Sequence, residues 1–98
     1  MGYDIHLRHQ DFRISRERAA LDDWLWRRQF EPRWEAGAID RLGFIGDRMG
    51  RQDQALEALA PFVEAGSWLL WQGEEGEYWR SEFDGRAMRT VEGRGPRG

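Results

Sequence analysis

The stretch from Gly66 to Gly85, GSWLLWQGEEGEYWRSEFDG, restricts the fold of this chain more than any other. Gly73-Glu74-Glu75-Gly76-Glu77 suits a hairpin loop built on a type I turn, with Gly76 in the left-handed position that a side chain would penalise. That register sets Gly73 against Glu77, and so Trp71 against Trp79. Asp84-Gly85 reads as a two-residue type I′ turn, which predicts a third strand over residues 86 to 92 with Ser81 opposite Met88. Strand alternation then sorts the side chains onto two faces. One carries Leu69, Trp71, Trp79, Ser81, Phe83 and Met88, the other Trp68, Leu70, Tyr78, Arg80, Glu82, Arg89 and Val91.

Upstream, Tyr3, Ile5 and Leu7 alternate with Asp4, His6 and Arg8, which predicts a strand over residues 2 to 9. Ser15 is placed to cap a helix reaching Phe30, with Leu21, Trp24 and Leu25 on one face, acidic residues early and Arg27 and Arg28 late. Pro32 ends it. Ile39, Leu42 and Ile45 fall at helical spacing among several glycines, so the reading is a short helix over residues 35 to 42 and an irregular loop after it. Asp53 caps a firmer helix that buries Ala55, Leu56, Leu59 and Ala60, until Pro61 removes an amide donor. The fold class expected is α+β: a four-stranded, mainly antiparallel sheet made of the N-terminal strand and a C-terminal three-stranded meander, with helices on one face. Residues 1 to 92 form one domain in this reading, and residues 93 to 98 a flexible tail.

The charge balance bears on partners. The chain has no lysine and a net charge of −3, and the deficit lies in its second half. Nonspecific nucleic-acid affinity comes mostly from basic side chains on phosphates, so this balance argues against a general nucleic-acid binder. Cysteine is absent, which excludes thiolate metal sites and thiol chemistry. The start, MGYDIHLRH, is not a secretory leader, and no apolar run is long enough to span a bilayer, so the expected location is cytoplasmic and no membrane partner is expected.

Catalytic constellations are sparse. His6 and His9, three apart on a strand, should face opposite ways and not share a metal ion. Asp4 and His6 share a face, and an enzymatic reading rests on that pair alone. No serine sits in a G-x-S-x-G elbow, and Glu74, Glu75 and Glu77 fall on a hydrated hairpin tip where pKa tuning is poor. The terminal G-x-G-x-x-G, Gly93 to Gly98, lacks the following helix that would receive a pyrophosphate. No cofactor, metal or catalytic residue is assigned, and a non-enzymatic role is favoured.

Tyr3-Asp4-Ile5-His6 in an M-x-Y-D-I-H opening, together with ALEALAPFVEAGSWLLWQGEEGEYWRSEF, resembles small uncharacterised bacterial proteins. The second block is the more specific, through Pro61, Gly66, Ser67, Gly73, Glu74, Gly76, Glu77, Trp79 and Arg80. The resemblance implies a natural bacterial or phage domain and carries over no activity or site residue.

Two binding surfaces follow from the pattern. Helices can cover only one side of the sheet, so Trp68, Leu70, Tyr78 and Arg80 are the candidate contacts for another protein or a second copy in a homodimer. Trp26, Arg27, Arg28 and Arg33 form an arginine and tryptophan cluster around the first helix, the alternative site, for single-stranded nucleic acid.

Overall fold

Turn chemistry and side-chain alternation carry more of the described residues into strands than into helices. The computed structural model describes residues 5–14, 19–45 and 52–93, and at 19 and 20 the backbone alone. In chain order the elements are β1 (Ile5–Asp11), α1 (Ala19–Arg27), β2 (Phe30–Glu35), β3 (Ala38–Phe44) and α2 (Gln52–Leu59), which tightens into a 3-10 turn (Ala60–Phe62). Then come β4 (Trp68–Gly73), β5 (Tyr78–Phe83) and β6 (Met88–Glu92). One sheet has the order β1-β4-β5-β6, all antiparallel, and β2 and β3 make a separate hairpin. This is the α+β class expected, with one sheet more than the sequence suggested.

The first meander turn forms as its residues dictate. The Gly73 and Glu77 backbones close at 2.9 Å, Gly76 has φ +86°, and Trp71 stands opposite Trp79. The second turn differs. Asp84 pairs with Ala87 across Gly85 and Arg86, which sets Ser81 against Thr90 and Phe83 against Met88. The Asp84 carboxylate accepts the N–H groups of Ala87 at 2.8 Å and Arg86 at 2.9 Å, which moves the turn one residue onward from Asp84-Gly85. Those two bonds, Ala87 first, hold its carboxyl below the usual range. The slip is even, so the face of every side chain is unchanged.

The segment from residue 28 to 45 departs furthest from expectation. The helix stops at Arg27, where Arg28 and Gln29 donate back to the carbonyls of Leu25 and Trp26 and Gln29 turns left-handed at φ +66°. Phe30 therefore opens β2 rather than closing the helix. No helix forms over residues 35 to 42. Ala36 and Gly37, at φ +52° and +80°, make a hairpin turn between β2 and β3. Alanine in the first of these positions costs about 1–2 kcal/mol and hides the turn from composition, since asparagine or glycine is the usual marker. Ser15 and residues 46 to 51 lie outside the described residues, as do residues 1 to 4 and the tail from 94.

A β-bulge on β3 explains the spacing that imitates a helix, and a second bulge lies on β1. On β3, Arg41 pairs with Arg33 but Ile39 pairs with Trp34, so Asp40 is an extra residue. Ile39 and Leu42, three apart, thereby share the core face. On β1 the extra residue is Arg8, and Leu7 and Gln10 share the core face in the same way. Gln10 then reaches β3: its amide N–H donates to the Leu42 carbonyl at 2.6 Å and its carbonyl oxygen accepts the Leu42 N–H at 2.7 Å. Leu42 has these groups free because it faces Pro32 on β2. Proline has no donor for a ladder bond, so this pair uses neither. Four residues on, Ile14 completes the junction with a reciprocal backbone pair to Ile39 at 2.8 and 2.9 Å.

The core lies on one side of the four-stranded sheet. Leu69, Trp71, Trp79 and Phe83 meet Leu21 and Leu25 of α1, Phe30, Ile39 and Leu42 of the hairpin, and Leu56 and Leu59 of α2. Asp53 sits within the first turn of α2 rather than ahead of it as a cap, and one carboxylate oxygen is buried without a hydrogen-bond partner among the described residues. Burial, and secondarily Glu57 one turn on, push its pKa up. Above the raised value the group is ionised in both folded and unfolded chains, and folding then carries its desolvation. As pH falls through that value the folded chain takes up the proton first and the penalty disappears. Asp53→Asn should therefore raise the thermal midpoint at neutral pH, with the gap to the parent closing on acidification. A gap that stays constant with pH would reject this account.

Candidate functional site

The opposite face of the four-stranded sheet has no layer over it among the described residues. Its side chains form three rungs fixed by register. Asp11, Trp68, Glu82 and Arg89 make one; His9, Leu70, Arg80 and Val91 make the next; His6, Gln72 and Tyr78 make the third. The Arg80 guanidinium lies over the Trp68 ring at 4.2 Å. Glu82 receives Arg89 at 3.2 Å and Arg80 at 3.7 Å, and Arg8 donates to Gln72 at 2.7 Å. The face thus holds three arginines against two carboxylates, with two histidines beside them, on a chain whose net charge is −3 with histidine neutral.

Of the four contacts expected here, Trp68, Tyr78 and Arg80 are half-buried and reachable. Leu70 is not: only 2% of it is exposed, between His9 and Arg80, its neighbours in register. It supports the face from below and offers no contact area. Long side chains on both neighbouring strands bury a leucine that alternation alone would leave in water.

The bulge at Arg8 also corrects the reading of the histidines. His6 pairs with Gln72 and His9 with Leu70, two apart on β4, so both histidines point to the same free face. Both are exposed, and among the described residues no group of three or more His, Cys, Asp or Glu could hold a metal ion. Asp4 lies outside the described residues, so its pairing with His6 does too. His9 and Asp11 were missed as face residues, while Arg8 was expected there with His6, because a bulge has no fixed sequence marker.

The cluster around the first helix is divided by the fold. Trp26 is 45% exposed. Arg27 forms an ion pair with Asp23 one turn earlier at 3.0 Å, and Arg28 stacks on Trp24 at 3.9 Å while donating to its carbonyl. Arg33 is not on the helix but on β2, with Asp40 at 4.0 Å. An open cleft of about 780 Å³ lies between the end of α1 and α2, lined by Trp24, Arg28, Gln29, Phe44 and Gln54 among others. Its arginines are already engaged as described.

Fold and face together define a two-layer α+β domain with helices and a hairpin behind one sheet and an open, basic-aromatic surface in front. No helix among the described residues is long and apolar enough to cross a membrane. Comparison with protein-family models, curated proteins and solved structures returns no match.

Proposed function

We propose that this domain is a non-enzymatic protein-interaction module that binds a partner protein through the free face of its sheet. The observation that carries the reading is the Trp68–Arg80 stack at the centre of that face, flanked by Tyr78. Tryptophan, tyrosine and arginine are the side chains enriched at binding hot spots. The arginines and histidines around the stack favour a partner surface that sets carboxylates beside apolar groups.

Single-stranded nucleic acid at Trp26, Arg27, Arg28 and Arg33 is the second reading, and the exposed Trp26 indole speaks for it. The intramolecular partners of its arginines speak against it, because phosphate would have to displace Asp23 and Asp40.

A photoreactive phenylalanine analogue in place of Tyr78 tests the first reading in a bacterial extract. Cross-links to a discrete protein are expected, and they should vanish with Trp68→Ala or Arg80→Glu in variants whose thermal midpoint is unchanged. The same analogue in place of Phe62 should give none. Cross-links that persist in both variants, or that run to nucleic acid, would reject the sheet-face reading.

A further inference from the structure

The four-stranded sheet ends in β6, and we propose that two copies of the chain join there, antiparallel β6 to β6, into one continuous sheet. The phase of the β5–β6 ladder is fixed at both ends: Asp84 donates to the Ala87 carbonyl at 3.2 Å and Gly93 to the Tyr78 carbonyl at 3.0 Å. Antiparallel pairs alternate between those that exchange hydrogen bonds and those that do not. Arg89 and Val91 therefore direct their backbone groups to β5, while the N–H and C=O groups of Met88, Thr90 and Glu92 point away from it. Among the described residues no strand pairs with β6 on that side.

The other edges are blunted. Pro32 interrupts β2, Gln10 and Ile14 occupy β3, and β1 is broken by the bulge at Arg8. Proline, bulges and covering groups are the devices by which sheets prevent strand addition. The β6 sequence, MRTVE, has neither proline nor bulge. It is the one strand edge of the described residues left with a regular row of outward donors and acceptors.

A second copy fits this edge because the edge is complementary to itself. A two-fold axis at Thr90 sets Thr90 against its counterpart and Met88 against Glu92 of the other copy, so all three outward residues of each chain enter hydrogen-bonded pairs, about six bonds in all. Arg89 then lies across from Val91. Moving the axis to Arg89 would set two arginines directly opposite each other, which is unfavourable. Moving it to Val91 loses Met88 and brings in Gly93, whose φ of +77° has left the strand. Charge and backbone together select the axis at Thr90. The inference does not rest on the sheet-face reading; the joined sheet would carry two such faces side by side.

Light scattering on size-exclusion fractions, over a dilution series reaching millimolar, tests it. The parent chain should show twice its own mass at high concentration. Thr90→Pro removes an N–H that is unused within the chain, at an exposed edge position where proline is tolerated. It should weaken association at least about tenfold with circular dichroism unchanged, while Thr90→Val leaves association intact. Amide exchange on the unaltered protein gives a readout independent of the variant's folding: the Met88, Thr90 and Glu92 amides should be protected at high concentration and lose protection on dilution. A parent that stays monomeric would overturn the proposal. So would fast exchange of those amides at every concentration, or a dimer that survives Thr90→Pro and dissolves with Trp68→Ala, which would mean face-to-face association.

Discussion

Replacing Trp71 with alanine should lower the unfolding free energy by about 3–5 kcal/mol, a large part of what a domain of this size has. Trp71 is fully buried and sits where both layers meet. Its ring stacks on Trp79 with centroids 6.5 Å apart, and meets Phe44 at 5.2 Å and Phe30 at 6.4 Å, both edge-on. No neighbour can fill the volume of an indole, so a cavity would add to the lost burial. The indole N–H also donates to the hydroxyl of Ser81 at 3.0 Å, and Ser81 is itself fully buried. Trp71→Phe or Ser81→Ala alone should each strand one buried polar group, at about 1–3 kcal/mol. The double variant should be less destabilised than the two effects added, because neither orphan remains. Urea midpoints at constant slope give these values. Strict additivity would mean that the hydrogen bond contributes nothing.

Gln10→Leu should cost about 2–5 kcal/mol, an unusual effect for a half-buried side chain on an edge strand. The reason is geometric. The Gln10 amide acts as a short piece of neighbouring strand, and its two bonds satisfy both backbone groups of Leu42, whose side chain is fully buried. Leucine would leave that N–H and C=O facing hydrocarbon. Gln10→Glu separates the two bonds: the carboxylate still accepts from Leu42 N–H but has no proton for Leu42 C=O. Facing a carbonyl oxygen, that carboxyl should hold its proton more tightly in the folded chain. The variant's stability should therefore recover as pH falls through the raised value, in contrast with Gln10→Leu, which should stay low throughout. A Gln10→Leu variant within about 0.5 kcal/mol of the parent would show that water replaces the clamp.

How much of this was legible in the sequence differs from element to element. The meander was, because its information is local: Gly76 at the left-handed position, and glycines and glutamates between two alternating runs, set Trp71 against Trp79 without reference to the rest of the chain. Helix α2 was legible too, since Leu56 and Leu59 mark its buried face and Pro61 its end. The register of β6 was missed by one pair of residues because the Asp84 carboxylate competes with the backbone for the turn, a choice decided by side-chain geometry. The free face was foreseen as a set of rings and arginines, but the burial of Leu70 beneath its neighbours was not.

What the sequence determined by itself was the first meander turn and the alternation of the strands on either side of it, and so that Trp71 and Trp79 enter the core. What only the tertiary structure decided was where alternation breaks. The extra residues Arg8 and Asp40 are defined by the strands they lie against, and nothing in their own identity marks them. One bulge gives β3 the three-residue spacing of Ile39 and Leu42 that reads as a helix. The other sends Gln10 inward to hold Leu42 and brings His6 and His9 onto the same free face. A period can be read from one strand, but a register belongs to two, because it is the hydrogen bonds between them that fix which residues are opposed.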